Sequence, residues 1–277
     1  MTGLVDLHIH TDASDGTMTA QALMNEIKEK SVTLFSVTDH DTIDKIEEMT
    51  RLANQNNVDF IPGVEISVTF GKVELHILTY GINIEDERLL EILRYNQAIR
   101  EAHNLAVVKF AHDKQPNFDI EAYESYVSNP KRGGWKAVNF LIDKGVVKSI
   151  SDFFALVEEM GVPLTFDPYD QMIPKLKALG YTLVLAHPPA YFKGEVLDVA
   201  FLDELVELGI QGIECYSPYY SSSDERQYYL EYCRRKELLI TSGSDYHGTF
   251  IRTRHLAYPD TTTNQVSYTQ LMKHVKK

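Results

Sequence analysis

Nearly every strand-like run in this chain ends in a histidine or a carboxylate. The first, GLVDLHIH at 3–10, carries His8 and His10, and Asp12 and Asp15 follow within five residues. VTLFSVTDH (32–40) ends in Asp39 and His40, with Asp41 next; VDFIPGVEIS (58–67) carries Glu65; KVELHILTYG (72–81) carries His76. After a long interruption, YTLVLAHP (181–188) ends at His187, IQGIECYS (210–217) carries Glu214, and ELLITSGSDYHG (237–248) carries Asp245 and His247. In parallel α/β sheets and barrels, function collects where the strands end at their carboxyl side. Runs that finish in the same side-chain chemistry are therefore expected to share one mouth.

Helical patterns alternate with these runs, at 19–30 (with Thr17 or Thr19 as its cap), at 41–57 (with Thr42 near its start), and at 170–180, 197–209 and 223–236. Gly71 marks a turn between the third and fourth runs. Alternation stops after the fourth run: 86–114, 119–127, 135–145 and 150–161 are all helical in pattern. The chain reads as an α/β fold with a mainly parallel sheet, a barrel built from residues 1–85 and 166–277. Residues 86–165 read as an inserted helical sub-domain.

The spacing has a chemical meaning. Residues at i and i+2 of a strand point to one face, so His8 and His10 can chelate one ion, and Asp245 and His247 repeat the geometry. A carboxylate such as Glu65 can bridge two cations. Mixed imidazole and carboxylate shells suit Mn, Fe or Zn rather than Ca or Mg. One histidine on an apolar strand is most often a core residue. So many imidazoles and carboxylates at one mouth would carry a heavy desolvation cost without metal, which points to a multinuclear centre.

The net charge of −13 argues against a grip on long duplex DNA. It leaves small phosphorylated substrates open, because bound cations reverse the local field. There is no apolar run long enough for a membrane span and no secretory leader pattern at the start. Cys215 and Cys233 cannot make a disulfide framework and read as inert, which fits a reduced, cytoplasmic setting.

On these residues the chain resembles the PHP family, named for polymerase and histidinol phosphatase, over about 1–81 and 180–250. The resemblance implies a distorted (β/α)7 barrel with two or three divalent metal ions. It implies one site of His8, His10, Glu65 and Asp245, a second sharing Glu65 with His76 and His187, and a third of Asp15, His40 and His247. The helical insert is similar to that of the stand-alone phosphoesterase branch, where it caps the metal site. That branch acts on short 5′-phosphorylated oligonucleotides or on nucleoside 3′,5′-bisphosphates. Gly133, Gly134 and Trp135 depart from the Pro-His type pairing usual there.

The activity so implied is hydrolysis of phosphate esters by a metal-activated hydroxide. Glu65, Asp245 and His247 are the expected catalytic groups, the last two assisting proton transfer. Asp12, Asp39 and Asp41 are candidates to orient the ligating imidazoles. Arg100, Arg132, Arg252 and Arg254 are candidate phosphate partners. Trp135, the only tryptophan, is a candidate to stack a base, and Tyr246 a candidate to line the pocket. The competing readings are histidinol-phosphate phosphatase, an amidohydrolase (whose bridging lysine has no counterpart at a strand end here), and a degenerate scaffold.

Overall fold

In the computed structural model, residues 3–192 and 195–275 are described. The elements run β1 (Leu4–Asp6), α1 (Ala20–Glu29), β2 (Val32–Val37), α2 (Ile46–Asn56), β3 (Asp59–Phe70) and β4 (Val73–Tyr80). Three helices follow, α3 (Glu87–Lys114), α4 (Lys136–Asp143) and α5 (Ile150–Met160). Alternation then resumes with α6 (Tyr169–Ala178), β5 (Thr182–Leu185), α7 (Val199–Leu208), β6 (Gly212–Tyr216), α8 (Ser223–Lys236), β7 (Leu239–Ser242) and α9 (Tyr268–Leu271).

The strands form one sheet in chain order, β1 to β7. Neighbours are parallel except at β3–β4 and β4–β5, where β4 runs against both. The long β3–β4 hairpin turns at Gly71, whose φ of 60° is the left-handed conformation that glycine adopts without steric cost. The first and last strands meet through Leu7 N–H donating to Ser242 O (2.8 Å) and His10 N–H to Tyr246 O (2.9 Å). The sheet thus curls round on itself.

Two apolar layers result. Val5, Leu7, Leu34, Ile61, Leu78, Tyr80 and Val184 fill the inside, with Val266 and Leu271 from the chain's end packed against them. The second layer lies between sheet and outer helices. α1 shows how: Thr19 caps it by accepting from Ala22 N–H, and Ala20, Leu23, Met24 and Ile27 bury one stripe. α3, α4 and α5 have an apolar cluster of their own, with Val107, Val108, Phe140, Leu141 and Phe153.

Two helices differ from expectation. The pattern at 41–57 becomes helical only at Ile46, because Asp41 takes a left-handed φ of 50° and Thr42 Oγ1 accepts from Asp44 N–H, making a turn instead. The pattern at 119–127 yields one 3-10 turn, Glu121–Tyr123, entered by an Asp119 side chain that accepts from Glu121 N–H.

Candidate metal centre

Glu65 lies at the middle of the site. It is fully buried, and its Oε1 lies 2.9 Å from His76 Nδ1, 3.2 Å from His8 Nε2 and 3.3 Å from His187 Nε2. Its Oε2 lies 3.1 Å from His40 Nδ1 and 3.2 Å from His10 Nε2. Asp245 Oδ1 faces His10 Nε2 at 3.2 Å and His8 Nε2 at 3.4 Å. Asp15 Oδ1 sits 3.3 Å from His247 Nε2. All nine side chains that the family resemblance implies converge.

The fold explains the convergence. His8 and His10 extend beyond β1 and present their Nε2 atoms to each other at 3.2 Å. Because β4 is antiparallel, His76 in its first half returns to the mouth where β3 delivers Glu65; Ser67 and His76 are register partners. Asp41, His187 and Asp245 hold positive φ of 50°, 21° and 51°. Three non-glycine residues in that sparsely populated region cluster at this mouth, as strain does at functional sites.

Four overlapping groups each bring ligand atoms within 4.8 Å of one another: His10, Asp15, His40 and His247; His8, His10 and Glu65; His8, His187 and Asp245; His40, Glu65 and His76. Glu65 Oε2, His40 Nδ1 and His76 Nδ1 are buried without a hydrogen-bond partner. Such orphaned acceptors and lone pairs, aimed at common points, fit divalent cations. Burial opposes charge on His8, His10 and His76, but the surrounding carboxylates outweigh it. Glu65 and Glu214 hold His8 well above the usual imidazole range; Asp245 and Glu65 hold His10 at about 10; Glu65 and Glu74 hold His76 at about 10. At His40 burial, joined by the charge of His10 and His76, outweighs Glu65 and Asp15 and pushes it down to about 3. Glu65 and Asp245 stay well below the usual carboxylate range, because the neighbouring imidazoles override their burial.

A layer of partners fixes the rings. Glu214 accepts from His8 Nδ1–H (3.1 Å) and from His187 N–H (2.9 Å). The first bond engages Nδ1 and turns His8 Nε2 to the centre, where its lone pair would be offered to a metal. His247 Nδ1 bonds Asp245 O at 2.7 Å and leaves its Nε2 towards Asp15. Tyr219 OH donates to Asp245 Oδ2 at 2.5 Å, and Arg254 stacks on the Tyr219 ring at 4.1 Å. Glu214, the middle residue of β6, left a signal in the sequence as the carboxylate of a strand run. Glu74, two residues before His76 and 3.2 Å from its Nε2, left the same kind of signal. Tyr219, on a loop, left none.

The aspartates expected beside the imidazoles do other work. Asp39 accepts from Thr11 N–H, Thr11 Oγ1 and Ser14 Oγ, tying down the loop that carries Asp15. Asp41 accepts from Ser67 N–H and Asn96 Nδ2, and Asp12 pairs with Lys45 at 3.1 Å. Tyr246 turns away from the site and donates to Glu26.

A cavity of about 560 Å³ opens from the centre towards α5, and a second of about 470 Å³ lies beside it, with His40, Arg100 and Trp135 lining both. Of the expected phosphate partners, Arg100 alone lines them. Arg254 lies behind Asp245, its Nε 3.8 Å from Oδ2. Arg132 does not reach the cavity, because Asp143 binds it at 2.7 Å; Arg252 is exposed on the surface. No helix of the described residues is long and apolar enough to cross a membrane.

Over 257 residues the chain is 26% identical to a 3′,5′-nucleoside bisphosphate phosphatase of Chromobacterium violaceum, covering 88% of this chain and 87% of that one. Over 259 residues it is 28% identical to an Escherichia coli 5′-3′ exoribonuclease, covering 88% and 85%. The fold superposes with a TM-score of 0.80 on a solved amidohydrolase structure from Chromobacterium violaceum with bound sulfate and no metal, at 23% identity over 99% of this chain and 97% of that one. Residues 6–159 match the PHP domain. The chain belongs to the PHP domain family.

Proposed function

We propose that this PHP-family phosphoesterase hydrolyses phosphate esters of small nucleotides or short oligonucleotides at a centre of two or three Mn, Fe or Zn ions. The observation that carries the reading is the convergence on Glu65 of imidazoles from separate strand ends, with Asp245 and Asp15 beside them. His8, His10, Asp15, His40, Glu65, His76, His187, Asp245 and His247 would hold the ions. When bound, the ions supply Lewis acidity, acidifying a water and offsetting charge on the phosphoryl oxygens.

The protein's own groups do the rest. Glu214 and the Asp245 carbonyl fix the tautomers of His8 and His247, so that each presents a lone pair. Tyr219 occupies Asp245 Oδ2 and leaves Oδ1 to face the centre. Asp245 and His247 both line the cavity and are the groups beside which a proton can pass to the leaving oxygen. The helical segment 86–165 serves as a cap, supplying Arg100 and Trp135 to the cavity wall. Among the described residues no lysine lines the cavity at the centre, where an amidohydrolase would need its bridging lysine, and this favours phosphoryl over C–N chemistry.

The test uses Mn-reconstituted protein with Asp245→Ala as the blank. Adenosine 3′,5′-bisphosphate, a 5′-phosphorylated trinucleotide and nucleoside monophosphates are offered, with products read by mass spectrometry. Orthophosphate or 5′-mononucleotides formed by the parent and not by the variant are expected. No product from any of them overturns the reading.

A further inference from the structure

Away from the metal centre the cavity changes character. Its outer wall is apolar: Ile150, Phe153, Phe154 and Val157 of α5 face it, with Phe250 and Ile251 opposite. Phe153 also belongs to the apolar cluster of the helical segment, but Phe154 does not, and it is 52% exposed. Phe250 is seated on Gly133 and Gly134: a Cβ at those positions would stand 2.6 Å and 2.8 Å from its atoms. Both glycines also hold left-handed φ, 70° and 75°. Aromatic surface is thus held open at the cavity, where the packing of α3–α5 does not need it.

Charge is arranged in the opposite sense. Arg100 is the only lysine or arginine among the described residues that lines this cavity. Its Nη2 donates to Glu74 Oε1 at 2.7 Å and to Ser67 Oγ at 2.8 Å, and Asp41 Oδ2 lies 3.6 Å away. Two carboxylates therefore answer one guanidinium, and Glu74 itself faces the cavity. Arg254, the next cation, is committed to Asp245 and the Tyr219 ring. The Nη2 donors of Arg100 are thus taken by Glu74 and Ser67, with Asp41 near and His76 Nε2 3.2 Å from Glu74, so a phosphate placed beside Arg100 meets the Glu74 carboxylate rather than a free fork.

We propose that the substrate is a phosphate monoester of an apolar, aromatic-bearing alcohol such as a nucleoside, and that Glu74 is the specificity residue that rejects a second phosphate on it. This deepens the phosphoesterase reading and rests on it. In the reaction the oxygen of water bonds to phosphorus and the bond from phosphorus to the alcohol oxygen breaks. One proton of the water ends on that oxygen, giving the free alcohol and inorganic phosphate. The ester phosphate sits over the metal centre; the departing body lies against Phe154, Phe250 and Trp135. Selection by a built-in repulsion costs the wrong ligand more than it gains the right one.

Binding is read first, without turnover. Trp135 is the only tryptophan and lines the cavity, so its fluorescence reports occupancy. With the metal-loaded protein held in saturating inorganic phosphate, adenosine and adenosine 5′-monophosphate are titrated in turn. Adenosine is expected to half-saturate at about tenfold lower concentration, and Glu74→Gln to bring the two within about threefold. Phe154→Ala, at an exposed position, is expected to weaken both ligands while keeping their ratio. Orthophosphate release from adenosine 3′-monophosphate and from adenosine 3′,5′-bisphosphate is then compared. The monophosphate should lead by about tenfold in kcat/KM, a lead that Glu74→Gln erodes. A bisphosphate turned over as well as the monophosphate, or a ratio that Glu74→Gln does not move, overturns the inference and leaves the phosphoesterase reading standing. Release from neither ester, nor from 2-naphthyl phosphate, overturns both.

Discussion

The mouth of the barrel and the helical segment above it are built on different terms. At the mouth, each side chain is specified by the others: Glu65 touches five imidazoles, and Glu214, Tyr219 and the Asp245 carbonyl hold the ligands in turn. In α3–α5, a small apolar cluster holds three helices together, and the surface it turns to the cavity is mostly hydrocarbon. Where chemistry dictates residue type, a substitution should cost function with little repair available. Where shape dictates it, a substitution should be absorbed or should change which substrate fits.

The largest effect is expected at the mouth. His10→Ala should lower kcat by at least about a thousandfold, because it removes an imidazole shared by two of the ligand groups. The far-ultraviolet spectrum should stay that of the folded chain, and metal content after dialysis should drop. Near-normal turnover would break the assignment. One layer out, Glu214→Gln should cost about 10–100-fold in metal affinity or activity, the range typical of a residue that orients a ligand. Tyr219→Phe, which frees Asp245 Oδ2 but keeps the ring under Arg254, should sit at about tenfold, the low end of that range. Titration with Mn and measured retention of the ion check both.

The same contrast explains what could be read in the sequence. His8, His10, Glu65, His76, His187, Asp245 and His247 were legible because strand ends and i, i+2 spacing put ligand atoms where only a few residue types serve. The seven strands were legible from the apolar runs between them. The reversal of β4 was legible only through the turn at Gly71, since a connection that short joins antiparallel strands, and that reversal is what returns His76 to the mouth. Arg132 and Arg252 looked like Arg100 in sequence; only packing separates the arginine that lines the cavity from the one bound to Asp143 and the one in solvent. Tyr219 and Phe154 were invisible for the same reason: a loop tyrosine and one of two adjacent phenylalanines have no spacing that marks them.

Metal removal sharpens the comparison through pH. Without ions, His10 and His76 are held near 10 by Asp245, Glu65 and Glu74 despite burial. An imidazole whose folded pKa is raised contributes stability that is fully present below its unfolded value, about 6.5, and is lost as pH climbs through the folded value. Glu65 and Asp245, held low, contribute stability above the usual carboxylate range and lose it only in strong acid. The metal-free protein should therefore lose stability from about pH 6.5 towards pH 10. Metal binding needs neutral imidazoles and should strengthen over the same interval. The gap in Tm between loaded and stripped protein should widen with pH, by about 2–4 °C for each kcal/mol. A gap that stays constant from neutral to alkaline pH would mean these imidazoles are already neutral in the stripped protein.

The smallest stability effect should come from the cavity face of α5, and there the contrast is cleanest. Phe140 is fully buried among α3–α5, so Phe140→Ala should cost about 3–5 kcal/mol and loosen these helices as a unit. Phe154, 52% exposed one helix away, should cost less than about 0.5 kcal/mol as Phe154→Ala. If the exposed ring serves the substrate rather than the fold, that variant should keep its melting temperature and its metal content, yet raise KM for aromatic esters more than for a small one such as glycerol phosphate. A uniform change across esters would place Phe154 outside the leaving-group wall. Metal retention in Phe140→Ala then closes the comparison: ions held while the helices loosen would mean that the mouth is organised by its own mutual contacts and not by the helices above it.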